Sequence, residues 1–230
     1  MPTTAAARFQ PASDQSLIVY LGEKITLDIH ERVVKLVRLM ESKPLSGVRN
    51  LHPAYCSLLV QFDPFTLSHE KLEAILREYL DDLDEVPLPE VRHIEVPVCY
   101  GGEFGPDLND VAGLHGLSVR AVIELHSSAT YIVYFLGFVP GFAYLGGLPE
   151  GLETPRLPTP RRRVPRGSVG IAGKQAGVYP FATPGGWRLL GRTPVAMFQP
   201  DRQHMSLLSL GDRVRFVPIS EEEFRTRKTA

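Results

Sequence analysis

Residues 135–192 carry most of the side chains whose types and spacing could do chemistry. Arg161, Arg162 and Arg163 form a run, with Arg166 just behind and Arg192 farther along. Guanidinium forks suit carboxylate and phosphate, so this set is either an anion site or a solvated turn. Gln175, Tyr179 and Thr183 place polar groups beside the turns at Pro180 and Pro184. The pair Gly185-Gly186 lets backbone approach closely next to Trp187, the only tryptophan, and its amides are of the kind that make an anion nest. Pro140, Phe142, Tyr144 and Trp187 make an aromatic loop set, to be filled into a core or turned towards a partner.

Motifs for other chemistries are missing. Gly173-Lys174-Gln175 is not a phosphate loop, because Ser168 stands where the leading glycine belongs and Gln175 where Ser or Thr belongs. The seven histidines, at 30, 52, 69, 93, 115, 126 and 204, include no H-x-x-x-H pair, and no metal site is expected. Ser127, Ser128 and Ser168 lack the G-x-S-x-G elbow. Asp107 and Asp110 read as helix starters rather than paired acids.

The elements that must position these residues follow from periodicity. The second half is punctuated by Gly and Pro every few residues, yet keeps short apolar blocks such as Val169-Gly170-Ile171, the pattern of short strands joined by shaped turns. It predicts a closed or nearly closed barrel over 100–230. The first half alternates period 2 with period 3.6: strands at Ser16–Leu21, Gly47–Leu51, Cys56–Phe62 and Val91–Val98, and helices begun by Asp28 and Ser68. That order, β-α-β-β-α-β, predicts a ferredoxin-like domain over 15–99, behind a disordered leader at 1–14. The fold class is therefore α+β.

Composition narrows the setting. The chain has 230 residues, 43% hydrophobic and 22% charged, with a net charge of −1, so it carries no general attraction for nucleic acid or a membrane surface. Cys56 and Cys99 are far apart, fitting buried thiols in a reducing compartment, and no apolar run is long enough to span a bilayer. A cytoplasmic location is expected.

The runs LGFVPGFAYLGGL (136–148), TPR (154–156), GSVGIAG-x-Q-x-GVYP (167–180) and PGGW-x-LLGRTP (184–194) together resemble the KipI family. That family takes in the B component of 5-oxoprolinase and the allophanate hydrolase subunit 1 type, the carboxyltransferase subdomains C and D. The resemblance runs from the strand near Ser16 to the last strand. It departs at Arg166, where a small residue is common, and at Ala176, where Thr is common.

The resemblance implies a ferredoxin-like domain followed by a cyclophilin-like β-barrel. It also implies work as one part of a multi-subunit, ATP-dependent 5-oxoprolinase, with the KipA-like C component and the A component, turning 5-oxoproline into glutamate. The isolated chain would be inactive. ATP, with Mg2+, would sit in a site shared with those two partners. Arg161, Arg166, Arg192, Gln175 and the Gly185-Gly186 amides have suitable types to hold carboxylate and phosphoryl charge. An alternative is a KipI-like inhibitor of a histidine kinase; a second is a member of a urea carboxylase or allophanate hydrolase-type system.

Overall fold

A computed structural model describes residues 7–228 and divides the chain into two units, with the boundary between Glu90 and Val91. In the first unit, β1 (Arg8–Ser13), β2 (Ser16–Tyr20), β3 (Val48–Pro53) and β4 (Ser57–Phe62) form an antiparallel sheet in the order β1-β2-β4-β3. Alternation buries Leu17 and Val19 of β2 and Leu58, Val60 and Phe62 of β4. The helices α1 (Leu27–Ser42) and α2 (His69–Asp81) bury Val33, Leu36, Val37 and Met40, and Leu72 and Leu76. Ser68 caps α2 by accepting from the Lys71 amide, as its sequence predicts. At α1 the cap position is Thr26, not Asp28, which lies in the first turn with its carboxyl held below the usual range chiefly by the nearby Thr26 hydroxyl.

Two expectations are corrected here. The stretch read as a leader, 1–14, contains β1; its residues 1–6 lie outside the described residues. The two-residue turn Asp14-Gln15 folds β1 back on β2, with Arg8 stacked 3.9 Å over the Tyr20 ring and Arg77 of α2 4.5 Å over Phe9. Pro11 is tolerated because β1 is an edge strand. The strand expected at 91–98 does not join this sheet. It becomes β5 (His93–Tyr100), whose Val96-Pro97-Val98-Cys99 is buried without alternation, as a strand covered on both faces must be. The first unit is therefore β-β-α-β-β-α, with β1 on the edge that the last ferredoxin-like strand would fill, and the expected boundary after Cys99 moves to Glu90.

The second unit is built on a closed barrel. Its strands are β5, β6 (Tyr131–Leu136), β7 (Ala143–Gly146), β9 (Ser168–Ala172), β10 (Gln175–Val178), β12 (Arg188–Arg192) and β13 (Arg213–Pro218), ordered β10-β7-β6-β13-β5-β12-β9. The barrel closure predicted from the short apolar blocks is present, and leaves these strands without a free edge. β5 and β13 pair in parallel from His93/Arg213 to Val98/Pro218, and Arg92 clasps Asp212 beside that seam. A separate ribbon pairs β8 (Arg161–Val164) with β11 (Thr183–Gly185).

Three helices complete the unit: α3 (Leu108–His115), α4 (Val119–Ser128) and α5 (Glu221–Lys228). Ser118 caps α4, and Ser220 with Glu223 makes the reciprocal capping box of α5. The core gathers Val96, Val98, Val133, Leu145, Val169, Ile171, Val214 and Phe216. His126 of α4 is wholly buried in it, stacked on Phe216 with ring centroids 4.6 Å apart and hydrogen-bonded through Nδ1 to Tyr100 Oη at 2.8 Å. Burial pulls its pKa down to about 3, so the ring is neutral. Among the described residues, no helix is long and apolar enough to cross a membrane.

Candidate functional site

The residues singled out by sequence separate into two places. The first is an aromatic cluster where the 137–142 loop, β7 and the 179–187 segment meet. Phe142 is its hub, with edge contacts to Tyr144 at 5.0 Å, Tyr179 at 5.3 Å and Trp187 at 5.4 Å. Glycine makes this possible. A Cβ on Gly185 would lie 2.4 Å from Tyr179 Oη, and one on Gly177 would lie 2.9 Å from Phe142 Cζ. Phe142, Tyr179 and Trp187 are buried and Tyr144 is half-buried, so these rings act by filling a core. Burial also raises the Tyr179 pKa, keeping the phenol neutral. The exposed aromatic of this loop is Phe138, which sequence reading did not single out; it holds a left-handed backbone (φ 70°) beside exposed Pro140.

Arg161 belongs to this place. It lies opposite Gly185 in the β8–β11 ribbon, and its guanidinium meets buried Asp107 at 2.6 Å. The other Asp107 oxygen accepts from the Leu189 amide at 2.7 Å. Asp107 does stand at the start of α3, but its carboxylate makes no cap bond and instead ties β8 and β12 together. Arg161 is thus already neutralised by a partner. Arg162 and Arg163 extend β8 as exposed strand residues, not as a turn. Thr183 pairs with Val164 in the same ribbon, and the Gly186 carbonyl is taken by the Leu157 amide. Gln175 lies apart, opposite Ala172 at the tip of the β9–β10 hairpin.

The second place gathers Arg166 and Arg192 with two arginines that sequence reading passed over, Arg202 and Arg227. They line a cavity of about 700 Å3 together with Thr193, Gln199 and Phe224. Arg166 sits in the β8–β9 turn, Arg192 ends β12, Arg202 lies in the 199–207 loop and Arg227 is on α5. The turn is fixed by Gly167 (φ 79°), whose amide donates to the Tyr179 carbonyl and whose carbonyl accepts from the Thr193 amide. Arg192 lies 5.7 Å over Phe104. Among the described residues no carboxylate lines this cavity. Four residues drawn from four separate elements leave no spacing signal in a sequence.

Comparison with known proteins places the chain. The profile of the carboxyltransferase domain, subdomain C and D, matches residues 7–208. The B subunit of the Bacillus subtilis 5-oxoprolinase is 39% identical over 98% of this chain and 98% of its own length. That of Escherichia coli O157:H7 is 44% identical over 94% of this chain and 97% of its own. The urea amidolyase of Saccharomyces cerevisiae is 24% identical, and the match takes up 13% of that protein. A crystal structure described as TTHA0988 superposes with a TM-score of 0.79 at 38% identity, over 90% of this chain and 40% of that longer one. The chain belongs to the carboxyltransferase subdomain C and D family, alongside the proteins named as the B subunit of 5-oxoprolinase.

Proposed function

We propose that the chain is the B component of an ATP-dependent 5-oxoprolinase, acting with the C and A components to convert 5-oxo-L-proline, ATP and water to L-glutamate, ADP and phosphate. The observation that carries this reading is end-to-end similarity, at 39% and 44% identity, to two proteins bearing that name. The urea-system alternative has weaker matches in its favour, at 24% and 25% identity to 13% of two far longer urea amidolyases. The closed seven-strand barrel supports the cyclophilin-like reading of the second unit.

The reaction needs ATP because a lactam carbonyl is a poor electrophile, and phosphorylating its oxygen activates it for ring opening. A site for that step binds a carboxylate and gathers positive charge around a phosphoryl group. The cavity of Arg166, Arg192, Arg202 and Arg227 has the chemistry for the second task. In this reading Mg2+ arrives on the nucleotide, bound to its phosphates. Active-site groups beyond the arginines come from the partner proteins in this reading, and the complex is the working unit.

The test is reconstitution. The purified chain, combined with the C and A components, is expected to form glutamate and ADP from 5-oxoproline, and to form neither alone. An intact three-part complex without turnover would overturn the assignment.

A further inference from the structure

We propose that the cavity lined by Arg166, Arg192, Arg202 and Arg227 binds a chain of phosphoryl groups on this protein itself, before any partner is added. At about 700 Å3, it falls in the size range of small-molecule sites, roughly 300–1,000 Å3. Among the described residues its lining includes four arginines and no Asp or Glu. Arginine stays charged at any physiological pH, so the cations confront one another whenever no anion is present. Elsewhere in the same unit arginines are answered: Arg161 by Asp107, Arg92 by Asp212, Arg120 by Glu124.

The cavity arginines are answered poorly. The side chains of Arg166 and Arg202 make no ion pair or hydrogen bond among the described residues, although the Arg202 amide donates to the Gln199 carbonyl. Arg192 donates only one long bond, 3.5 Å, to the Glu103 carbonyl, and its buried Nε has no hydrogen-bond partner. The acids nearby are engaged or outside the lining: Glu103 with Arg225, and Glu223, whose pKa is lowered mainly by the Ser220 amide and only weakly by Arg227. Gln199 and Thr193 supply neutral polar groups on the wall. A buried, unmet N–H among uncompensated guanidiniums fits an acceptor-only ligand, and phosphoryl oxygens are that.

Two sources share this chemistry, a nucleoside triphosphate and a free polyphosphate. Titration calorimetry on the isolated chain with ATP, tripolyphosphate and inorganic phosphate separates them. Tripolyphosphate is expected to bind at least ~10-fold more tightly than inorganic phosphate. ATP tighter than tripolyphosphate identifies the nucleotide as the ligand; equal affinities identify the phosphate chain. Arg192→Ala and the double variant Arg202→Ala/Arg227→Ala are each expected to weaken binding by roughly tenfold or more, the size of a lost charge-assisted hydrogen bond. Arg120→Ala, a surface arginine elsewhere, leaves it unchanged. Absence of binding, or affinity indifferent to both cavity variants, overturns the proposal. The inference rests on the 5-oxoprolinase reading only for ATP as a probe. Binding without turnover in the full complex would sink that reading and leave this one standing, and turnover with no binding to the chain would do the reverse.

Discussion

The aromatic cluster and the arginine cavity lie in the same unit and draw on the same Gly- and Pro-rich segment, yet they handle their polar groups in opposite ways. Around Phe142 the charged pair and the rings are spent internally: Arg161 on Asp107, Asp107 also on the Leu189 amide, and the rings on one another. Around Arg192 four arginines are assembled with no carboxylate in the lining among the described residues. Internal pairing is what a scaffold shows, and unmet like charge is what a ligand site shows before its ligand arrives. The distinctive motifs of this chain thus split into those that shape the barrel and those that face something else.

Four measurements press on that contrast. The largest effect is expected from Asp107→Ala, which strands a mostly buried guanidinium and a backbone amide; a loss of ~3–5 kcal/mol in urea unfolding fits a structural ion pair. A loss below about 1 kcal/mol would place Arg161 back among the ligand-binding candidates. Phe142→Ala should cost about 3 kcal/mol or more by emptying the hub of the cluster, and a stable variant with altered partner affinity would make the ring an interface group.

Acid sharpens the contrast further. His126 has a pKa of about 3 when folded against 6.5 when exposed, so the unfolded chain takes up the proton first. This contribution is complete above pH 6.5 and erodes towards pH 3, by up to about 1.4 kcal/mol per pH unit. His126→Phe should flatten that slope in acid unfolding curves. Smallest is Arg202→Ala, expected to change stability by no more than about 0.5 kcal/mol. A large destabilisation there would show that the cavity is architecture after all.

Periodicity made the elements themselves legible. The apolar stripe of α2, its Ser68 cap and the Ser220/Glu223 box were readable because each depends on residues within a turn of one another. What escaped was decided by distant partners. β1 reads as a polar leader until Tyr20 and Arg77 are brought to Arg8 and Phe9. β5 reads as the close of the first domain, although its even burial marks a strand enclosed on both sides. In the site, Arg166 and Arg192 were found because they flank conspicuous motifs. Arg202 and Arg227 have no local mark, and Asp107 shows a helix start while hiding the tertiary bond that uses it.

The parallel β5–β13 seam has a consequence for the order of events on the ribosome. The first unit has all four of its strands by Phe62 and both helices by Asp81, so its sheet can assemble while the rest is still being translated. β5 emerges next but waits for a neighbour 120 residues downstream, as the Arg92–Asp212 contact measures. At ordinary elongation rates that is on the order of ten seconds in which an apolar strand has no finished barrel to enter. A nascent chain stalled before Arg213 should therefore expose Val96 and Val98, and a chaperone would meet this protein at that strand.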